Sequence, residues 1–293
     1  MHSTMFRRIV CTVVLTAAAT AAAAVPALAA PAPHIGGDGH IPAPDRTAIS
    51  FEHSPTGFHA GTANEHQSRA GLSIVELYIA DYVFDHGDAA DQAAAAQMLR
   101  TSDDAIASHL YGKYPNSIAA TATAFGLGDT HAAAHWGDST TLTADTVAYL
   151  EAKKRTDPGG PVLAALAAAA PVAADGYAQN YGTAALPGVI GTKWGWSDDR
   201  QSVTASASFG PDFSVAAHIY GPAAQLTADI LGAFDTSAPA APQPPAVMTL
   251  PDAATVLVSD VPHAVDIAVV VDDLTGHAIT VPTEIVDFLA GLR

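Results

Sequence analysis

The sequence contains one cysteine among its 293 residues, and this cysteine, Cys11, lies in an N-terminal apolar run. The run covers residues 9–24, follows two arginines and precedes a small-x-small pattern at residues 27–29. These features predict a secretory signal peptide over residues 1–29. Because Cys11 leaves with the signal peptide, the mature chain is predicted to have no disulfide and no thiol chemistry, and to depend on a hydrophobic core.

Positive charge is also scarce. Lysine and arginine number 12 against 29 aspartates and glutamates, and loss of Arg7 and Arg8 with the signal peptide takes the formal net charge from −17 to −19. Such a chain repels phosphate backbones and anionic lipid surfaces, so no nucleic-acid partner is predicted. Residues 9–24 are short for a bilayer span of about 20 apolar residues, and no second long apolar run follows. The protein is therefore predicted to be secreted or extracytoplasmic, with no membrane span after signal removal.

Composition divides the mature chain into four predicted parts. They are a flexible leader over residues 30–46, a folded domain over residues 47–235, a Pro/Ala-rich linker over residues 236–246 and a C-terminal extension of unknown role over residues 247–293. The extension has fewer than 50 residues and no disulfide. We do not expect a segment of this length to fold alone.

Hydrophobic periodicity predicts strands at both ends of the domain and helices between them. A hairpin is predicted over residues 47–62. Period-two patterns predict three consecutive antiparallel strands over residues 188–196, 202–209 and 214–220. Helices are predicted over residues 72–84, 89–100, 102–111, 140–153, 162–170 and 223–234, and residues 125–138 are predicted to be irregular.

Two short polar motifs lie at predicted helix starts. Ser73 and Glu76 have the spacing of a capping box, in which the serine hydroxyl accepts a backbone N–H and contributes about 1 kcal/mol. Ser102, Asp103 and Asp104 are likewise typical of a helix N-terminus, where acidic side chains interact favourably with the helix dipole. Helix capping alone therefore explains both motifs.

A third motif, Lys193-Trp194-Gly195, lies on a predicted strand. Lys193 is one of only four lysines in the chain, which makes its place on a strand informative. A solvated lysine followed by a tryptophan packed on the sheet is the simpler interpretation.

The three motifs occur in an order that resembles a known family. Residues 67–87 resemble the nucleophile helix of the serine β-lactamases and penicillin-binding proteins, and residues 99–111 resemble their Ser-Asp-Asn segment. Residues 140–150 resemble the Thr-Thr-x-x-x-Asp helix start, and residues 191–220 the Lys-Thr-Gly strand with the two strands after it. The resemblance covers about residues 47–235. It implies an α+β fold in which one antiparallel sheet is completed from both chain ends around an inserted helical lobe.

The resemblance also implies catalytic roles. Ser73 matches the serine that attacks an amide carbonyl and forms an acyl-enzyme. Ser102 and Lys193 match the groups that relay the proton and stabilise charge. Glu76 stands where the family has the lysine that helps to remove the serine proton. A negative charge there disfavours both an oxyanion and a substrate carboxylate.

The implied substrate-binding positions depart from the family as well. Asp104 stands where the family has asparagine and Trp194 where it has a small hydroxyl residue, while Gly195 is kept. Between Glu76 and Glu151 the chain has no glutamate, so it lacks the loop glutamate with which class A enzymes hydrolyse their acyl-enzyme. A competent class A β-lactamase is therefore not expected.

A metal centre is not predicted. His131 and His135 have the spacing that places two rings on one metal, but the pair lacks the internal glutamate of a zinc protease motif and lies in a predicted loop. We therefore predict no metal and no cofactor.

Three functions are compatible with the sequence. The first is a secreted serine hydrolase with impaired acyl-serine chemistry on envelope peptides or β-lactam amides, favoured by Ser73, Ser102 and Lys193. The second is a non-catalytic cell-envelope binding protein that keeps the fold and cleft, favoured by the changes at Glu76 and Asp104. For both, the predicted partner is a peptidoglycan peptide or a β-lactam-like small molecule. The third is a secreted structural protein whose C-terminal extension is the functional part.

Overall fold

The structure is a computed structural model that describes residues 30–236. The predicted signal peptide, the C-terminal extension and all but the first residue of the predicted linker lie outside the described residues. Among the helices of residues 30–236, none has the length and apolar character that crossing a membrane requires.

Strands and helices follow one another in the predicted order. The strands are β1 (Ala32–Pro33), β2 (Thr47–His53), β3 (Phe58–Gly61), β4 (Arg69–Ala70), β5 (Thr140–Thr141), β6 (Gly191–Trp196), β7 (Thr204–Phe209), β8 (Phe213–Ile219) and β9 (Phe234–Asp235). The α-helices are α1 (Glu76–His86), α2 (Ala89–Thr101), α3 (Asp104–Lys113), α4 (Ser117–Phe125), α5 (Thr143–Thr156), α6 (Pro161–Ala167) and α7 (Ala223–Ala233). Short 3-10 helices cover Leu72–Val75, Trp136–Asp138 and Gly182–Ala185.

The central sheet has five antiparallel strands in the order β3-β2-β8-β7-β6. Strand β2, from the N-terminal end of the domain, pairs along its whole length with β8, from the C-terminal end, and Ser50 lies opposite Ala216. Strands β6, β7 and β8 are consecutive, with Lys193 opposite Ala207 and Ala207 opposite Ala216. The sheet is thus completed from both chain ends with helices α1–α6 between them, which confirms the predicted α+β fold.

The two faces of the sheet pack against different helices. One face presents small side chains such as Ala207 and Ala216 to the helical lobe, in an apolar cluster that also holds much of α1. The other face presents larger side chains, Trp194 among them, to Leu226 and Ile230 of α7. Because successive side chains of a strand point to opposite faces, Lys193 faces the helical lobe and Trp194 faces α7.

The period-two patterns locate the C-terminal strands to within three residues at each end, and nearly every residue of these strands is buried. Helix α4 has no counterpart among the predicted helices. Its buried face includes Ser117 and Thr121 as well as Ile118, so hydrophobicity alone does not mark it. The helix predicted from residue 140 begins at Thr143, because the two preceding threonines form β5 and pair with β4.

The segment predicted to be a flexible leader is attached to the domain. Ala32 and Pro33 form β1, which pairs with β9 at the opposite end of the described chain. Ile41 is buried in the same apolar cluster as α7. These contacts fix residues 30–46 at two points along their length.

Candidate functional site

The chain enters α1 through a turn that departs from helical geometry. Leu72–Val75 form a 3-10 helix that follows Gly71, and no side chain caps it. Leu72 has a φ of 49°, in the left-handed region that costs a non-glycine residue roughly 1–2 kcal/mol. Ser73 lies inside this 3-10 helix and Glu76 is the first residue of α1. The predicted capping box is therefore wrong, since neither side chain caps a helix.

Strand β6 packs directly against this turn. A β-carbon on Gly195 would lie 2.8 Å from Cβ of Leu72 and 3.0 Å from the backbone N of Ser73. Any side chain at position 195 would push the start of α1 away from the sheet, which explains the glycine. Lys193, two residues earlier on β6, lies on the same face of the sheet.

Glu76 and Lys193 form an ion pair in the interior. Oε2 of Glu76 lies 3.1 Å from Nζ of Lys193, and both side chains are fully buried. The donors beside the Glu76 carboxylate are Lys193 and Ser73, and no other described residue donates a hydrogen bond to it. Burial raises the pKa of Glu76 to about 7, while Lys193 and the nearby Ser73 favour the carboxylate and limit the rise. Burial likewise lowers the pKa of Lys193, and Glu76 opposes this.

Lys193 also contacts the second serine. Its Nζ donates to Oγ of Ser102 at 2.5 Å, and Ser102 donates its own proton to Oε1 of Gln179 at 2.8 Å. The orientation of the Gln179 amide is set because Nε2 donates to the carbonyls of Arg100 at 3.0 Å and Ala170 at 2.7 Å. Gln179 is thus a site residue that the sequence motifs do not include. It lies in the irregular connection after α6, where no periodic pattern marks it.

The prediction that Ser102 caps α3 is wrong. Ser102 has a φ of 46° and terminates α2, and Asp103 caps α3 by accepting two backbone N–H groups. Asp104 is the first residue of α3 and is exposed to solvent. Partial desolvation raises the pKa of Asp104, and the ammonium of Lys193 opposes the rise. Asp104 therefore lies at the edge of the site, within electrostatic range of its lysine.

The predicted site residues separate into three groups in the structure. The first group lies where the 3-10 helix at Leu72–Val75 and α1 meet the end of α2 and strand β6. It comprises Ser73, Glu76, Ser102, Lys193 and Gly195. Asp104 lies at the exposed edge of this group. The indole of Trp194 packs in the cluster around α7, and its Nε1 donates to the carbonyl of Tyr181 at 3.0 Å. The structure thus places the Trp194 side chain on the face of β6 opposite the ion pair.

The chemistry open to Ser73 depends on its neighbours. Ser73 is 7% exposed, and the carboxylate of Glu76 is the ionisable group on the same turn. A group with a pKa near 7 is well matched to a general base at neutral pH. The same negative charge opposes an oxyanion that develops beside it, and Lys193 is already neutralised by Glu76. The arrangement therefore supports proton abstraction better than it supports stabilisation of a tetrahedral intermediate.

The two spaced histidines are not joined at a metal site. Nδ1 of His135 accepts from the backbone N of Gly137 at 3.2 Å. In residues 30–236, no group of three or more His, Cys, Asp or Glu side chains is arranged to hold a metal ion.

Comparison with known proteins identifies the fold. No protein-family model and no curated protein sequence matches the chain. A variant of the last common ancestor of class A β-lactamases of Gram-negative bacteria, bound to 5(6)-nitrobenzotriazole, is 15% identical, covers 63% of this chain and 88% of its own, and has a TM-score of 0.51. The class A β-lactamase from Mycobacterium abscessus is 14% identical, with 64% and 90% covered and a TM-score of 0.50. The chain therefore has the serine β-lactamase and penicillin-binding-protein-like fold that the order of its motifs predicts.

Proposed function

We propose that this chain is an extracytoplasmic protein that keeps the β-lactamase-like fold and cleft, binds a peptide of the cell envelope there, and has lost efficient acyl-serine chemistry. The observation that carries the proposal is the fully buried pair of Glu76 and Lys193, with 3.1 Å between Oε2 and Nζ. Acyl transfer by Ser73 requires a proton acceptor and a cation that remains available to developing negative charge.

The ammonium group of Lys193 is paired with Glu76 and is therefore not available to stabilise an oxyanion. At an effective dielectric constant of about 20, two unit charges at this distance attract each other by roughly 5 kcal/mol. An incoming substrate would have to displace that interaction before Lys193 could stabilise a transition state. The hydrogen bond from Lys193 to Ser102 does not offset the loss, because Ser102 donates its own proton to Gln179.

The cellular location follows from the N-terminal sequence. The predicted signal peptide over residues 1–29 implies export, and the strongly acidic mature chain keeps the protein soluble outside the cell. An envelope peptide is the ligand class that such a location makes available to the cleft.

A second candidate function is a slow acyl-serine hydrolase in which Glu76 takes the proton of Ser73. The observation that favours it is the pKa of Glu76, which burial raises to about 7 on the same turn as Ser73. Since the sequence has no counterpart of the loop glutamate that hydrolyses the acyl-enzyme, such an enzyme would release its acyl group slowly.

Two assays on the mature protein separate these candidates. In the first, the protein is incubated with a fluorescent penicillin and examined on a denaturing gel, with Ser73→Ala as the control. We expect no covalent label on either protein, whereas a label that is lost in Ser73→Ala would establish the second candidate. In the second, the protein is sedimented with purified peptidoglycan, where we expect retention by both proteins. Absence of retention would contradict the proposed binding function.

A further inference from the structure

We propose that a small interior cavity beneath the entry to α1 binds one ordered water molecule, which accepts a hydrogen bond from Nε of Arg69 and donates one to Nδ1 of His218. The juxtaposition that supports this is a buried donor and a buried acceptor in the wall of one cavity, each without a partner among residues 30–236. The site is independent of the proposed binding function, and its role is to hold the start of α1 to the sheet.

The cavity lies between the sheet and the start of the helical lobe, and the strand register explains why it forms. Ala48 of β2 and Ala205 of β7 lie directly opposite His218 of β8. The imidazole therefore has only a methyl group on either side of it in the sheet. Arg69 and Ile74, from the segment that leads into α1, form another part of the wall. The cavity volume is about 10 Å³, which is room for about one water molecule and too small for an organic ligand.

His218 supplies the acceptor. Its Nε2 lies 3.0 Å from the carbonyl oxygen of Ala70, and because a carbonyl can only accept, Nε2 carries the proton of the ring. His218 is 4% exposed, and burial lowers its pKa to about 4, so the ring is neutral at pH 7. A neutral imidazole has one N–H, which makes Nδ1 an acceptor. No described residue donates a hydrogen bond to this atom.

Arg69 supplies the donor. Its Nη1 donates to the carbonyls of Arg46 at 2.7 Å and His218 at 3.1 Å, and its Nη2 donates to Oε1 of Gln67 at 2.9 Å. The guanidinium stays protonated in proteins, so Nε is always a donor. Nε is buried, and within the described part of the chain no group accepts its proton.

The two atoms have opposite hydrogen-bond polarity, and this identifies the ligand. Buried polar atoms in folded proteins nearly always have a partner. The charge of Arg69 opposes a cation in the cavity, and the lone pair of His218 opposes an anion. The ligand that remains is a small neutral molecule that both accepts and donates, which is water. Buried waters make about three hydrogen bonds, and Thr143 and Ser206 also line the cavity as available partners for the third.

The water would strengthen an existing connection between β4 and β8. Arg69 and Ala70 form β4, and Leu72, with its φ of 49°, follows at once. Two direct hydrogen bonds already join this segment to His218, one from Arg69 to its carbonyl and one from its ring to the carbonyl of Ala70. The water adds a link between the two side chains. It therefore helps to hold the strained turn that carries Ser73 against the sheet.

Water contacts in NMR spectra of the ¹⁵N-labelled mature protein at pH 7 test this inference. The measurement is the nuclear Overhauser effect between Hε of Arg69 and water, with a rotating-frame experiment to exclude proton exchange. We expect a cross peak in the wild type and its loss in Ala205→Val, whose two added methyl groups fill the cavity. Ala60→Val adds the same groups in the cluster around α7, on the other face of the sheet, and should retain the cross peak.

Absence of the cross peak in the wild type, or its persistence in Ala205→Val, would overturn the proposal. The wild-type spectrum decides alone if Ala205→Val does not fold. Urea denaturation gives a second readout, because displacing the water leaves Arg69 and His218 with unpartnered atoms. Ala205→Val should then lower the folding equilibrium constant by about tenfold. An unchanged or higher constant would contradict the water site, since filling an apolar cavity removes no hydrogen bond.

Discussion

Among residues 30–236, two glutamate–lysine pairs have a buried carboxylate, and they differ in how that carboxylate is satisfied. In the first, Glu151 lies 3.0 Å from Nζ of Lys154, and the same oxygen also accepts from two serine hydroxyls at 2.6 and 2.9 Å. In the second, Glu76 lies 3.1 Å from Lys193, and within the described part of the chain the one further donor beside its carboxylate is Ser73. The distances are nearly equal, so the difference lies in the surrounding donors.

The difference indicates which of the two ion pairs stabilises the fold. A buried ion pair repays the desolvation of its charges only when hydrogen bonds satisfy the remaining lone pairs. The Glu151 pair meets this condition, because Ser54 and Ser214 join α5 to the sheet through it. The Glu76 pair does not, and it lies beside Ser73 at the strained entry to α1. We infer that the Glu76 pair contributes less to stability than the Glu151 pair.

The largest expected effect comes from removing each lysine in turn. Lys193→Met leaves the fully buried Glu76 without its cation and is expected to lower the free energy of unfolding by about 3–5 kcal/mol. Lys154→Met leaves Glu151 with two serine donors and is expected to cost about 1–2 kcal/mol. Urea denaturation at pH 8 measures both. Equal losses would show that the two pairs are equivalent.

The pH dependence of the free energy of unfolding tests the raised pKa of Glu76. Burial raises the pKa of Glu76 to about 7, above the ordinary value of 4.5 expected in the unfolded chain. Between these values the folded state binds more protons, so this group lowers stability as pH rises, by about 3 kcal/mol in total. Glu76→Gln should remove that loss. The quantity to compare is the free energy of unfolding of Glu76→Gln minus that of the wild type from pH 4.5 to 7, and a constant difference would contradict the assignment.

His218, on the same face of the sheet as Lys193, should act in the opposite direction. Burial lowers the pKa of His218 to about 4, Arg69 adds to the lowering, and the Nε2 contact with the carbonyl of Ala70 opposes it. The unfolded state binds more protons between pH 4 and 6.5, so this group raises stability as pH rises, by up to about 3 kcal/mol. In His218→Gln the acid side of the stability profile should flatten. Thermal unfolding at closely spaced pH values tests this, and a profile that still parallels the wild type would refute it.

A smaller effect is expected at Gln179. Gln179→Leu removes the acceptor of the Ser102 proton and the donors to two carbonyls, at a cost of about 1–3 kcal/mol. It also frees Ser102 to donate within the site. The control is Gln97→Leu, an exposed position on α2, where a change below about 0.5 kcal/mol is expected. Equal urea midpoints for the two variants would show that Gln179 does not hold Ser102.

The fold could be predicted from the sequence because its strands carry period-two patterns and its motifs occur in the order of the family. Helix α4 could not be predicted, because polar residues such as Thr121 occupy its buried face. The geometry at the start of α1 could not be predicted either. A capping box and a 3-10 turn share the Ser73 and Glu76 spacing, and only the close approach of Gly195 distinguishes them.

Part of the site could be predicted from the sequence. The motifs lead to Ser73, Ser102 and Lys193, and the structure brings these residues together. Gln179 was not predictable, because its position depends on an irregular connection that folds back against the end of α2. Trp194 was predicted as a substrate-binding position, but its side chain packs in the cluster around α7, on the opposite face of β6 from Lys193, because successive side chains of a strand alternate.

The central claim is that the ion pair with Glu76 prevents Lys193 from stabilising the negative charge that develops when Ser73 attacks a substrate. The most direct measurement is the rate at which a fluorophosphonate modifies Ser73, followed by intact-protein mass in the wild type and in Glu76→Lys, with Ser73→Ala added to each as the control. Because Glu76→Lys removes the anion beside Ser73 and leaves Lys193 uncompensated, we expect no adduct on the wild type and an adduct on the variant that requires Ser73. An adduct that forms on Ser73 of the wild type as fast as on Glu76→Lys would contradict the account.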